Sequence, residues 1–493
     1  MKAKECLFLL LLTAGALAVH GYHGGAEDAE IYDPGILKIL DPALFPKNTE
    51  FFQSHAHLTL YPNFVAACVR ITHLPFAFVL FFLHVTTIFL VLLACWKLSD
   101  ELFSDLRARW AGTALVASLL TLPVAGTGLY ILDQYMNPRG IALFAAMFAL
   151  RAAIRRKYLQ TALWILLTAP IHPLMVVFAL TLVLIFIWLR DFRGAPAVVA
   201  SLFPLGAFFA YPSEAYRRAA LTRGDFFLLR WEWYEWLGLA GPVVLLWWFG
   251  RLARKQGMQT LALLCNALIL FETINFAAAV VVSIPPRLVG LAHFQPMRCL
   301  QLVYVFLALI GGGFLGQWVL RDRVWRWIVV FVPLCAGMFY AQRQLFPATE
   351  HLELPWTAPT NDWLRAFTWI RENTPRDAFF ALNPEHMRLP SENHHGFRAL
   401  AERSMLADAS KDPGASSMFP NLPLAEHLEE QLKAQRGWDH FEAADIERLH
   451  RDWGVNWVVL DQPGVIGLDC AYSTRTLRVC RVSETSPAAD GKD

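Results

Sequence analysis

Four carboxylates stand within seven positions, Glu27, Asp28, Glu30 and Asp33, directly behind the first apolar stretch of the chain. Acids at a membrane edge are costly unless they face water, a cation or a substrate, so this cluster is where chemistry is to be sought. A carboxylate placed there can take the proton of an attacking hydroxyl, and two together can hold a divalent cation such as Mg2+ or Mn2+. Glu27 and Asp28 are the candidate catalytic pair and the candidate metal ligands, with Glu30 a third acid that can reach a substrate.

Two further segments carry the cationic groups such a site would need. One runs from Arg217 to Glu235 and mixes Arg217, Arg218, Arg223 and Arg230 with Trp231, Trp233, Tyr234 and Trp236. The other runs from Pro285 and Pro286 through Arg287, His293 and Gln295 to Arg298. A guanidinium can stabilise a departing phosphate oxygen, which needs no acid because phosphate leaves as a stable anion. Candidate substrate contacts are therefore Glu30, His55, His57, Arg139, Arg287, His293, Arg298, His394 and His395. The bland readings are a solvated acidic loop, an interfacial Trp and Tyr belt, a snorkelling Arg298, and His55 and His57 alternating on an extended loop.

The elements that must position these residues are mostly membrane spans. Of the 493 residues 56% are hydrophobic and 17% charged, too apolar for an ordinary soluble protein. A net charge of +2, with basic residues in short runs between apolar stretches, excludes nucleic-acid binding as the reading. Apolar stretches able to cross, or nearly cross, roughly 30 Å of hydrocarbon lie at 5–20, 76–96, 111–132, 140–154, 158–170, 173–189, 195–211, 237–250, 258–283, 299–320 and 325–341. Pro170, His172 and Pro173 interrupt 158–189, which reads either as two short helices or as one kinked helix.

The basic loops, among them Arg155, Arg156 and Lys157, then Arg190 with Arg193, and Arg254 with Lys255, fall on one side, which the positive-inside rule makes cytoplasmic. The N-terminus is then inside, and an odd number of spans puts the C-terminus outside. The two-helix reading of 158–189 is the one that keeps every basic loop inside. The first segment can also be read as a signal peptide, with Ala16-Leu17-Ala18 as a cleavage site.

The expected organisation is a transmembrane domain at 1–341 with an acidic first outer loop at 21–75, a linker at 342–355, an α/β domain at 356–483 and a disordered tail at 484–493. Within the outer domain, Asp362 to Asn373 has the spacing of an amphipathic helix. Strands are expected at Ala378 to Leu382, Asn456 to Asp461 and Leu477 to Val482, with helices near 425–435 and 443–453. Cys470 and Cys480 flank a hairpin and suit a disulfide in an oxidising compartment.

With these features on the page, the chain resembles the GT-C superfamily of membrane glycosyltransferases. The likeness lies in the first span, the acidic first outer loop with its membrane-parallel helix Ile36 to Leu40, the span number and the outward C-terminal domain. The segment EDAEIY, Glu27 to Tyr32, is similar to the paired-acid motif of that loop, in which the family's acids act as base or hold a metal ion. WIRENTPRD, Trp369 to Asp377, is similar to the helix-to-strand entry of the family's outer domain, oligosaccharyltransferase subunits included. The chain lacks the WWDYG motif of those subunits and carries Glu392-Asn393-His394-His395-Gly396 instead, which argues against protein N-glycosylation. The runs EDAEIYDPGILKILDPALFP, FQPMRCLQLVY and HGFRALAERSMLAD also resemble bacterial polytopic membrane proteins of GT-C type.

The resemblance implies an α-helical polytopic protein of the bacterial inner membrane with about eleven transmembrane helices. It implies transfer of a sugar from a polyprenyl-phosphate donor to an extracytoplasmic glycan, lipid or protein acceptor, with Glu27 or Asp28 as base and Arg298 on the phosphate. A non-catalytic lipid- or glycan-binding protein of the same fold, engaging a partner through the His394-His395 domain, is the second reading. A transporter built around Glu272 and Asn275 is a third, weakened by the lack of an internal repeat. The transferase reading requires Glu27, Asp28, Arg298 and His293 to share one cavity, open sideways to lipid and roofed by the domain after 356.

Overall fold

The computed structural model describes residues 2–192, 212–283 and 286–482. The expected span at 195–211, the expected tail at 484–493 and the side chain of Arg287 lie outside the described residues.

The membrane part is helical. Its helices are α1 (Ala3–His20), α2 (Ala29–Leu40), α3 (Glu50–Leu58), α4 (Tyr61–Thr72), α5 (Phe76–Leu102), α6 (Leu106–Ser118), α7 (Pro138–Ile154), α8 (Tyr158–Ile171) and α9 (Pro173–Asp191). After the undescribed stretch come α10 (Glu214–Leu221), α11 (Trp233–Lys255), α12 (Gln259–Ser283), α13 (Leu300–Leu315) and α14 (Val324–Leu345). Among the described residues seven helices are long and apolar enough to cross a membrane: α1, α5, α9, α11, α12, the run Leu288–Leu320 that contains α13, and α14. The segment α8 is a shorter apolar helix.

Local sequence explains where these helices start and stop. His172 ends α8 in extended backbone and caps α9, which opens on Pro173, so 158–191 forms two helices rather than one kinked one. The stretch expected to span from 111 to 132 does not do so. Its helix, α6, stops at Ser118, and Pro123, Gly126 and Gly128 turn the chain back on itself through a bridge between Pro123 and Tyr130. Non-helical backbone at such depth is tolerated where it is buried in protein or lines a cavity. Here it carries Asp133 and Tyr135 to the start of α7, where the Asn137 side chain accepts from the Gly140 amide at 3.2 Å.

α6 also packs closely on α13. A Cβ on Gly112 would stand 2.6 Å from the Leu309 carbonyl oxygen, so the contact is one only glycine allows. The expectation of an extended run for His55 and His57 is likewise corrected. Both lie on α3, and two residues along a helix point apart, which puts His57 in solvent.

The outer domain begins with α15 (Asp362–Asn373), whose Asn361 side chain accepts from the Trp363 amide at 2.7 Å. A five-stranded sheet follows, of β1 (Phe379–Ala381), β2 (Ser404–Met405), β3 (Trp457–Asp461), β4 (Asp469–Ser473) and β5 (Leu477–Arg481), in the order β2-β1-β3-β5-β4. The two pairs made by β1 are parallel; β5 runs antiparallel to β3 and to β4. Interspersed are α16 (Phe397–Ala401), α17 (Asp412–Ser417), α18 (Leu424–Ala434) and α19 (Ala443–Trp453).

Side chains alternate along the strands, so each face of the sheet has its own core. Phe380, Val459 and Val479 pack with Trp363, Phe367 and Ile370 of α15. Phe379, Val458, Leu460 and Cys480 pack with Ile446 and Leu449 of α19. A disulfide joins Cys470 to Cys480 across β4 and β5.

Two single bridges tie this domain to the first outer loop, Tyr22 with Leu352 and Ala26 with His395. The Gly396 amide donates to the Gly25 carbonyl at 2.8 Å.

Candidate functional site

The bridge at Ala26 sets the next two residues against the outer domain. Glu27 takes a left-handed backbone with φ of 55°, and Asn393 and His394, which face it, do the same with 67° and 64°. The Glu27 amide donates to the His394 carbonyl at 2.7 Å. Non-glycine residues in this region persist where the surroundings over-determine them, a condition common at functional sites.

Held this way, both acids meet the ammonium of Lys411, which precedes α17 in the outer domain. Lys411 Nζ donates to Glu27 Oε2 and, at 3.1 Å, to Asp28 Oδ1. The second oxygen of Asp28 accepts from Arg139 Nη1 at 2.8 Å, and that of Glu27 lies 3.5 Å from His394 Nδ1. Arg139 is fixed from behind by Asp133 at 3.0 Å and by the Tyr135 hydroxyl at 3.3 Å. Burial works to raise the Asp28 pKa, but Lys411 and Arg139 outweigh it and hold the carboxyl well below the usual range. Glu27 is likewise lowered against its burial, by Lys411 and His394. Both acids are therefore ionised at neutral pH.

Asp28 opens on a cavity of about 100 Å3 that Arg139, Arg223, Arg298, His55 and Lys411 also line. The guanidinium of Arg298 reaches only Asp225, at 3.9 Å, an acid that Arg223 already binds at 3.2 Å. Arg298 Nε is buried with no hydrogen-bond partner among the described residues. The Nδ1 of His55 is also buried without one. Burial pushes the His55 pKa down to about 4, so its ring is neutral at neutral pH. Leu58, Ile171 and Leu174 give one wall an apolar face at the turn between α8 and α9, while Gly414 and Met418 of the outer domain help to close the cavity.

The structure thus brings together Glu27, Asp28, His55, Arg139, Arg298 and His394, which come from five segments of the sequence. Other candidates stand elsewhere. Glu30 is fully buried against Arg398 at 3.1 Å and accepts from the Ala399 amide at 3.1 Å; a carboxylate so enclosed cannot reach a substrate. His293 turns its Nδ1 onto the Gly290 carbonyl and is not among the residues lining the cavity. His395 is buried against Glu353 at 2.7 Å, and His57 is exposed outside the cavity.

Sequence reasoning passed over Lys411, Asp133, Tyr135 and His172. Asp133 and Arg139 carried a usable signal, because ionisable residues between apolar stretches are rarely idle. Lys411 carried none: it is one lysine in a polar loop.

A divalent cation does not fit between Glu27 and Asp28 as they stand. All four of their carboxylate oxygens face donors, and the position between the two groups holds the Lys411 ammonium. One other group among the described residues has ligating atoms close enough for an ion, within 4.8 Å: His23, Glu353 and His395. The Nδ1 of His395 meets the Glu392 carbonyl at 3.1 Å, the kind of anchor a ligating imidazole usually has.

A family model described as a domain of unknown function, DUF6798, matches residues 361–415. No curated protein matches the chain. Among solved structures, the chain is similar to an oligosaccharyltransferase of Archaeoglobus fulgidus tethered with an acceptor peptide containing the NVT sequon via a disulfide bond. The identity is 14% and the TM-score 0.47, over 93% of this chain and 69% of that one. At that TM-score the likeness says nothing of site or activity.

Proposed function

We propose that the chain transfers a sugar from a polyprenyl-phosphate donor to a hydroxyl of an extracytoplasmic acceptor. The observation that carries the reading is the shared cavity of Asp28 and Arg298, an ionised carboxylate and a guanidinium with an unused buried donor, at the mouth of the membrane helices. The apolar wall of Leu58, Ile171 and Leu174 suits an isoprenoid tail.

In the step, the acceptor oxygen bonds to the anomeric carbon as the bond from that carbon to the phosphate oxygen breaks. Its electron pair leaves with the polyprenyl phosphate, whose growing charge Arg298 and Arg223 neutralise. The hydroxyl proton passes to Asp28 or Glu27 and then to water. Attack from the face opposite the phosphate inverts the anomeric centre.

The test is transfer by the full chain in lipid nanodiscs, supplied with polyprenyl-phosphate sugars and read as release of polyprenyl phosphate. Wild type should release it and the double variant E27A/D28A should not, with both folded; equal release from the two would defeat the assignment. A second reading, binding without transfer, is favoured by the neutralisation of both acids by Lys411 and Arg139. It expects donor to bind nanodisc-held wild type with no release at any acceptor tried.

A further inference from the structure

We propose that Lys411 is a built-in cation for this site, a positioning residue that holds Glu27 and Asp28 together where a divalent ion would otherwise be required. The inference deepens the transfer reading, but its geometry does not depend on a donor. Two carboxylates on adjacent residues repel each other unless a cation lies between them. Here that cation is covalently part of the chain. Lys411 Nζ bonds one oxygen of each acid, and its own amide donates to Asp408 Oδ1 at 2.6 Å. Asp408 in turn lies 3.5 Å from Arg398, the guanidinium that clamps Glu30.

The lysine is therefore delivered by the docking of the outer domain on the acidic loop. The family-matched stretch 361–415 holds every outer-domain partner of the three acids: His394 and Lys411 for Glu27, Lys411 for Asp28, and Arg398 with the Ala399 amide for Glu30. This gives that stretch a role, which is to complete the electrostatics of a site whose acids lie more than 360 residues away in sequence, as the separation of 368 between Glu30 and Arg398 illustrates.

An ammonium differs from a metal ion in what it permits. It cannot ligate a phosphate oxygen and the two acids at once in a fixed polyhedron, so the phosphate contact falls to Arg298 and Arg223. The site then needs no metal, and it will take one only if the lysine is removed.

The experiment is Mn2+ binding to the full-length protein in nanodiscs, read by electron paramagnetic resonance of free Mn2+, for wild type, K411A, K411M and each with E27Q added. Wild type should bind no ion that E27Q removes. K411A and K411M should each bind one Mn2+ at least about tenfold more tightly than wild type, and E27Q should abolish the gain. An ion held at His23, Glu353 and His395 is indifferent to E27Q and so is counted apart. The proposal is overturned if wild type binds an ion that E27Q abolishes, or if a folded K411 variant gains none. Should neither variant fold, wild type with and without E27Q still decides. Because no sugar donor is present, a failed transfer assay leaves this result standing, and the reverse.

Discussion

Lys411 Nζ lies 3.1 Å from Asp28 Oδ1, although 383 residues separate the two in the chain. The contact joins the outer domain to the first outer loop at the one cavity that also holds Arg298, so the chemistry proposed here depends on the docking of two distant parts of the sequence.

Replacing Asp28 by Asn removes the charge but keeps the shape. Transfer should fall by about 100-fold or more with little change in melting temperature. Since Lys411 and Arg139 hold Asp28 well below the usual carboxylate range, wild-type transfer should keep its rate as pH falls to about 5, with no acid limb from this group. In K411M the largest lowering influence is gone, and an acid limb should move up into view. A wild-type rate that halves on going from pH 7 to 5 with an intact fold would count against the assignment.

Arg298 has an unused donor in the cavity, so R298A should lose interaction mainly with the departing phosphate. The expected cost is about 2 to 4 kcal/mol in kcat/KM for the donor. R298K should recover little, because an ammonium cannot present a planar fork. Steady-state rates at several donor concentrations separate this from an effect on acceptor binding.

Glu30 predicts a pH-dependent clamp. Three buried acids, Glu30, Asp408 and Asp412, surround one guanidinium, Arg398. Burial, only partly offset by Arg398, pushes the Glu30 pKa up to about 8. The folded state then holds more protons than the unfolded state from about pH 4.5 upward. Stability from this group is full below that pH and is lost as pH rises through about 8. Melting temperature should decline between pH 5.5 and 8.5 in wild type and decline less in E30Q. Equal slopes would remove Glu30 as the cause.

Gly396 lies against that clamp. A Cβ there would stand 2.2 Å from Glu30 Oε2 and 3.0 Å from Glu30 Cα. G396A should therefore destabilise the docked domain by about 2 kcal/mol and open the junction to limited proteolysis between 342 and 361. Unchanged cleavage and melting would show that the junction yields at no cost.

Much of the fold follows from local patterns. Asp362–Asn373 is a helix because Trp363, Phe367 and Ile370 share one face and Asn361 caps it, all of which is visible in a dozen residues. The strands at 379–381, 457–461 and 477–481 fall within the expected stretches for the same reason. The two-residue strand Ser404–Met405 was invisible, since it exists by pairing with Phe379 and Phe380 rather than by its own pattern. The span expected at 111–132 failed where Pro123, Gly126 and Gly128 outweigh apolar composition.

For the site, residue type alone singled out Glu27, Asp28, Arg139 and Arg298, because a charge beside an apolar span is expensive wherever the chain folds. Which of them meet was settled by tertiary structure. Glu30 went to a buried arginine, His395 to Glu353, and a lysine with no distinguishing neighbours came to lie between the two acids. Desolvation is a property of one residue and can be read in one dimension. Pairing of charges depends on distances of a few ångströms, and those exist only once segments hundreds of residues apart have packed.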